Sequence, residues 1–316
     1  MTQPQLAKNF FTGIPVEYHI PKNAKVVFVS DFFSSDLMGG AELTTDAIVQ
    51  TCPAERNLKP FKIHSTSLTP TLLSKNSDKH FVVGNFTRMP SDAFDHLCFG
   101  GFSYSVIEYD FKYCSFRSEY RHQTEVESPC NCPETVHGQR MEKFYRGAKA
   151  RYWMSQKQKE FFCSRLPNIT SLGRDKVVGS VFSNKTLDLL KGIRESTTQN
   201  NDTVAVLAPG GSWIKGIEQT VAWCKANNKS FVHVGNNNHE QFLRELGRHG
   251  SLAFMPLDKD TCPRVVIEAK LLGMNLFLNE NVLHKDEPWF AGSVEDTDKH
   301  LRTNAQTQFW QNLELD

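Results

Sequence analysis

No uninterrupted apolar run in this 316-residue sequence approaches the ~20 residues that a membrane-spanning helix needs. It also lacks an excess of either charge: 36 lysines and arginines stand against 35 aspartates and glutamates, a formal net charge of +1. That balance excludes a surface built throughout to grip a polyanion, although not a local basic patch. The first 23 residues mix Pro, Lys and Glu among scattered apolar side chains and carry no signal-peptide pattern. The expectation is a soluble, cytoplasmic protein whose eight cysteines are reduced, buried or metal-bound rather than paired in disulfides. With no repeat at a fixed short period and no low-complexity tract, neither a solenoid nor a disordered chain fits. The length suits two α/β domains or one large one.

What is present is alternation. Short β-branched runs and helical patterns follow one another through most of the chain, the signature of βα units around a parallel sheet. Residues 24–33 read as a buried strand followed by a helix over 41–52, and 61–68, 80–86, 103–110, 151–155 and 176–182 as later strands. A helix over 185–195 runs into the polar stretch 196–202, suited to a linker. Beyond it, strands are expected at 203–208, 230–235, 252–257 and 275–278, helices at 216–227, 240–248 and 264–273, and a helical segment from 296 onward. The expected division is residues 1–196 and 197–316, two Rossmann-like α/β domains facing across a cleft, with the last helix packing back on the first.

Three constellations could carry chemistry. Gly39 and Gly40 sit at the start of the first helix, where small residues let a ligand approach the backbone and free helix amides can bond an anion or hydroxyl; the same pair suits a plain βα turn. A third glycine is missing, so this is not a dinucleotide fingerprint. Asp260 and Glu268 are eight positions apart with a Pro between them, placing one acid in a loop and one inside a helix. The loop acid would suit sugar hydroxyls, the intrahelical one a ribose diol, and the helix N-terminus near Cys262 a diphosphate, while a cap plus a solvated glutamate is the plainer account. Lys215-Gly216 follows the first strand of the second domain, where open α/β sheets bind anions, although most lysines are simply solvated. Arg264 is a second candidate for phosphate, and Asn236 and Asn237, just past a strand, could edge a nucleobase or merely turn the chain.

In order and placement these motifs resemble the retaining glycosyltransferases of the two-Rossmann-domain, GT-B, type. In that family a Gly-Gly-Ala-Glu loop follows strand one, a Lys-Gly pair opens the second domain's first helix, and an acidic-x7-Glu motif precedes a Gly-terminated helix; here these are residues 39–42, 215–216 and 260–268. The resemblance covers nearly the whole chain. It implies a sugar moved with retention from a nucleoside diphosphate sugar to a hydroxyl, with Lys215 on the diphosphate, Asp260 on the donor sugar and Glu268 on the ribose. It requires no cofactor or divalent metal for the chemistry. The sequence departs from the pattern in three places: Asp260 stands where Glu is usual, Gly210 where an Arg is frequent, and Glu108 and Asp110 where many relatives carry a His-Asp pair. Glu108 and Asp110 are therefore candidates for contacting sugar or acceptor. A looser similarity to phage-encoded glycosyltransferases makes hydroxymethylated DNA one candidate acceptor beside a glycan. The alternatives are a GT-B-like glycan- or nucleic-acid-binding module without catalysis, and an epimerase or phosphorylase on the same scaffold.

Two further features stand apart. Cys114, His122, Cys130 and Cys132 fall in one polar stretch near 111–140 at spacings that could close a structural zinc loop, with His137 a substitute ligand; reduced thiols without metal are the alternative. Residues 140–165 carry eight basic side chains against two acidic ones. They suit an amphipathic helix with a solvated basic face, or a surface for DNA or an anionic membrane.

Overall fold

The computed structural model describes residues 19–210, 212–235 and 238–315. Among these residues ten strands lie in two sheets: β1 (Val26–Ser30), β2 (Phe61–His64), β3 (His80–Val83), β4 (Tyr104–Glu108), β5 (Arg151–Trp153) and β6 (Asp175–Val177) in the first, β7 (Asn200–Leu207), β8 (Phe231–Val234), β9 (His249–Phe254) and β10 (Asn275–Leu278) in the second. All pairings are parallel, in the orders β2-β1-β3-β4-β5-β6 and β10-β9-β7-β8. Each sheet is a doubly wound unit whose first strand has its second strand on one side and its third on the other. The α/β class with two Rossmann-like halves, expected from the alternation, is what the chain adopts.

Helices cover both faces of the first sheet, so β1 and β3 are buried at every position. Their side chains part by the two-residue period. Val27, Val29, Phe81 and Val83 enter one core, while Val26, Phe28 and Val82 enter another that continues through Phe182 to Ala205, Leu252 and Phe254 of the second sheet. One apolar core thus runs through both halves.

The helices that matter below are α1 (Gly40–Gln50), α2 (Glu119–Val126), α3 (Val136–Gly147), α4 (Asn184–Ser196), α5 (Ile217–Ala226), α6 (His239–Leu246), α7 (Arg264–Leu271) and α8 (Gln306–Gln311). Two differences from the sequence expectations have physical causes. The strand expected over 176–182 ends at Val177, because the next residues bond across to the second half: Ser180 Oγ donates to Cys262 O at 3.0 Å and Val181 O accepts from Arg264 at 2.6 Å. The expected linker 196–202 contributes to β7, whose irregular register between Asn200 and Val204 lets Asn200 pair with His249. α4, the last helix before that stretch, buries Leu187, Leu190 and Ile193 in the core shared by both halves. At the far end α8 returns to the first sheet: Phe309 packs on Phe28 and Tyr152, and Trp310 Nε1 donates to Ile48 O at 2.9 Å.

Candidate functional site

In each sheet the switch in strand order opens a crevice beyond the strands' carboxyl ends, where α/β proteins bind ligands. Here the two crevices face one another across a cavity of about 470 Å³, lined from one side by Gly39, Gly40 and Tyr109 and from the other by Lys215, Asp260 and Glu268.

On the first side, the turn after β1 ends at Gly39, the N-cap of α1, with no side-chain cap. A Cβ there would lie 2.2 Å from Glu42 Oε2, so glycine leaves room for that carboxylate at its own helix's N-terminus. Glu42 is buried, and its burial pushes the carboxyl up. Gly40 is not sterically demanded, since a Cβ would make ordinary contacts with the Arg264 side chain at 3.7 Å.

On the second side, Gly216 caps α5 with φ +60°, and a Cβ would sit 1.9 Å from Met255 O. The close approach of β9's exit loop to this turn fixes Lys215 over the cavity, where its Nζ is 2.7 Å from Asp260 Oδ2. Thr261 Oγ1 donates to Tyr109 O at 2.8 Å, locking that loop to the first half. The N-cap of α7 is Pro263, which offers no side-chain acceptor, so the helix's first amides are left for a ligand.

Glu268, 2% exposed, lies one turn into α7. His239 Nε2, opening α6, is 2.8 Å from its Oε1, and Arg264 Nε is 3.6 Å away. Burial would push the carboxyl up; the His239 hydrogen bond and the nearby Arg264 charge outweigh it and hold Glu268 below the usual carboxylate range.

A second cavity of about 440 Å³ adjoins the first through Gly40, Tyr109, Lys215 and Asp260 and is walled by Asp110, Arg117, Arg121, Trp213 and Lys259. Tyr120 stacks on Trp213 at 6.0 Å, and Ser118 Oγ donates to Asp258 Oδ2 at 2.5 Å. The loop after β4 is thereby tied to the loop after β9.

The sequence candidates divide accordingly. Gly39, Gly40, Lys215, Cys262, Arg264, Asp260 and Glu268 all line the first cavity, and Asp110 the second. Glu108 lines neither of the two. It is fully buried, accepting from Lys112 Nζ at 2.9 Å, Asp110 N at 2.8 Å and the Tyr145 hydroxyl, and its burial pushes the carboxyl up to about 7. It anchors a network beneath the site. Arg264 is a buried strut: it donates to Val181 O, lies 3.6 Å over the Phe182 ring and approaches Thr44. Cys262 contributes its backbone, since burial pushes the thiol up to about 12 and keeps it protonated. Asn236 and Asn237 lie outside the described residues.

His239, Asp258, Tyr109 and Thr261 were not singled out from sequence. Asn238, whose side chain caps α6, was the available signal for a helix starting at His239. Asp258 and Asp260 have Asp-x-Asp spacing, but their carboxylates are taken by Ser118 and Lys215. In the basic stretch 140–165 the helix α3 buries Met141, Phe144 and Tyr145 and leaves Lys143 and Arg146 exposed, while Arg140 pairs with Asp95, buried Arg151 with Asp175, Lys157 with Asp286 and Arg165 with Glu119.

Cys114, His122, Cys130 and Cys132 present ligand atoms all within 4.8 Å of one another. His137 is not part of the group and bonds Lys112 O at 3.0 Å. Among the described residues, no helix is long and apolar enough to cross a membrane.

No family model and no curated protein matches the chain. Among solved structures it is similar to Anabaena HepE in complex with UDP and glucose, at 13% identity over 92% of this chain and 96% of that one, TM-score 0.45. It is also similar to an alpha-glucosyltransferase in complex with UDP and a 13-mer DNA containing an HMU base, at 7% identity over 90% and 91%, TM-score 0.47. A glycosyltransferase from Rickettsia africae shows 11% identity over 93% and 95%, TM-score 0.48. At such distances no substrate and no residue's role passes from these proteins to this chain. The chain's own two parallel sheets, with their strand carboxyl ends opposed across one cleft, give it the GT-B architecture.

Proposed function

We propose that this chain is a glycosyltransferase that moves a hexose or related sugar, with retention, from a nucleoside diphosphate sugar to a hydroxyl. The observation that carries the proposal is the convergence of Lys215, the uncapped start of α7, Asp260 and Glu268 on one cavity between two switch points. An ammonium and free helix amides suit a diphosphate. A buried, ionised carboxylate one turn further along the helix suits the ribose diol, and Asp260 the sugar hydroxyls. Charge developing on the departing diphosphate would be met by donors already in place, so that positioning and electrostatics do most of the work.

The second cavity is assigned to the acceptor. Its arginines and lysine beside exposed Trp213 and Tyr120 suit stacked bases and phosphates, which favours DNA over a neutral glycan.

The test is release of nucleoside diphosphate from UDP-, GDP- and ADP-sugars, with and without hydroxymethylated DNA, by the native protein and Glu268→Ala. Loss of a charged hydrogen bond is worth about 1.5–3 kcal/mol, so donor binding should weaken by roughly 10- to 150-fold in the variant. Donor binding without release, under every acceptor, would favour the non-catalytic module. Failure of the folded native protein to bind any donor would overturn the proposal.

A further inference from the structure

The segment between β4 and α3 contains a helix that hydrophobic burial does not explain. Of the eight residues of α2, Glu119 to Val126, His122 alone is buried. An amphipathic helix normally docks through an apolar stripe of several residues. Here one imidazole does the docking, and it points into three sulfurs.

The positions of those sulfurs have the dimensions of a tetrahedral metal site. His122 Nδ1 is 3.3 Å from Cys132 Sγ and 3.9 Å from Cys114 Sγ, and the four ligand atoms, Cys130 included, lie within 4.8 Å of one another. With metal–sulfur bonds of about 2.3 Å and metal–nitrogen bonds of about 2.0–2.1 Å, a tetrahedron separates nitrogen from sulfur by about 3.6 Å and sulfur from sulfur by about 3.8 Å. The two measured distances bracket the first value. All eight cysteines are unpaired.

Three thiols and one imidazole form a soft donor set that selects zinc over magnesium or calcium, and no carboxylate belongs to the group. Cys114, His122 and Cys132 are buried and Cys130 half-buried, which suits a closed structural site rather than a catalytic one with an open position. An outer group supports one sulfur: the Ser115 hydroxyl is 3.4 Å from Cys132 Sγ.

We infer that Cys114, His122 through Nδ1, Cys130 and Cys132 bind one structural zinc ion that staples the loop walling the cleft's second cavity. The ion joins the exit of β4 to α2 and to the approach to α3. Between its first two ligands lie Arg117, Ser118 and Tyr120, which carry the Asp110 pair, the bond to Asp258 and the stack on Trp213. Metal binding therefore holds the contact between the halves on that side of the cleft. The site's place in acceptor binding rests on the proposed function; its occupancy does not.

The test uses the full chain. Metal analysis after purification should find one zinc per chain, and exchange with cobalt should give the intense d–d and thiolate charge-transfer bands of a tetrahedral thiolate site. His122→Ala and Cys130→Ser should each purify with well under one zinc per chain. If either fails to fold, removing zinc from the native chain with a chelator gives the second measurement. Hydrogen exchange should then rise across residues 111–135 while the strands of both sheets stay protected, and added zinc should restore protection. A native chain that takes up neither zinc nor cobalt, with residues 111–135 protected from exchange all the same, would overturn the inference. Because metal content is read without turnover, an inactive protein carrying its zinc would count against the proposed function and leave the site standing.

Discussion

At the cleft the candidate donor-binding groups are partnered with one another: Lys215 with Asp260 at 2.7 Å and Glu268 with His239 at 2.8 Å. On the proposed reading, a diphosphate would draw Lys215 from Asp260 and free that carboxylate for a sugar hydroxyl in the same movement. Until then the ion pair holds both side chains at the cavity. A different group contributes to acid stability. His284 is fully buried between Trp289 and Phe290, with neither ring nitrogen hydrogen-bonded, and burial pushes its pKa down to about 3. The unfolded chain, with an ordinary histidine near 6.5, takes up a proton that the folded chain refuses. The contribution is thus present above pH 6.5 and is lost as the pH falls from 6.5 towards about 3. Urea midpoints at pH 7 and pH 5 should show a smaller acid loss for His284→Phe than for the native protein. Equal losses would mean that this histidine is not the group that senses acid.

Among the elements, the turn into α5 is the most constrained part of the site. Gly216 combines a left-handed φ of +60° with a backbone oxygen 1.9 Å from where a Cβ would stand. Gly216→Ala should cost at least about 1–3 kcal/mol from the dihedral strain, and more because the loop after β9 must move. Denaturant unfolding reads the stability loss, and donor binding should fall with it since the same turn carries Lys215. The place of this turn was legible because a Lys-Gly pair after a strand stands where open α/β sheets bind anions, although a solvated lysine would read the same. The parallel sheets were legible too, since strands buried on both faces leave near-continuous apolar runs such as residues 26–29. What stayed hidden depended on contacts between distant segments. Glu108 was a cleft candidate because it stands where many relatives carry a His-Asp pair, yet it shares the face of β4 that Tyr104 and Val106 bury and meets Lys112 and Tyr145. Residues 178–182 have strand composition, but Val181 O accepts from Arg264 and Phe182 O from Gln306. The basic stretch 140–165 gave no sign that its arginines would meet acids from other elements.

Over the whole molecule charge is nearly balanced, at +1, so attraction to a polyanionic acceptor has to be local. Besides Lys215, at the junction with the first cavity, the cations around the second cavity are Arg117, Arg121 and Lys259, and each already has an acid beside it: Asp110, Glu125 and Asp258. Binding DNA releases counterions in proportion to the phosphates neutralised, with a slope of log affinity on log salt of about −0.9 per contact on duplex and about −0.7 on single strands. Three cations, each partly spent on its own neighbour, set a ceiling. The salt slope for a hydroxymethylated DNA acceptor should be no steeper than about −3. Arg121→Glu should make it shallower without changing donor binding, because Arg121 lines the second cavity and not the first. A much steeper slope, unchanged in Arg121→Glu, would move the acceptor off this wall and onto a broader surface. A flat slope with turnover intact would instead mean that the DNA is held through its bases with few phosphate contacts.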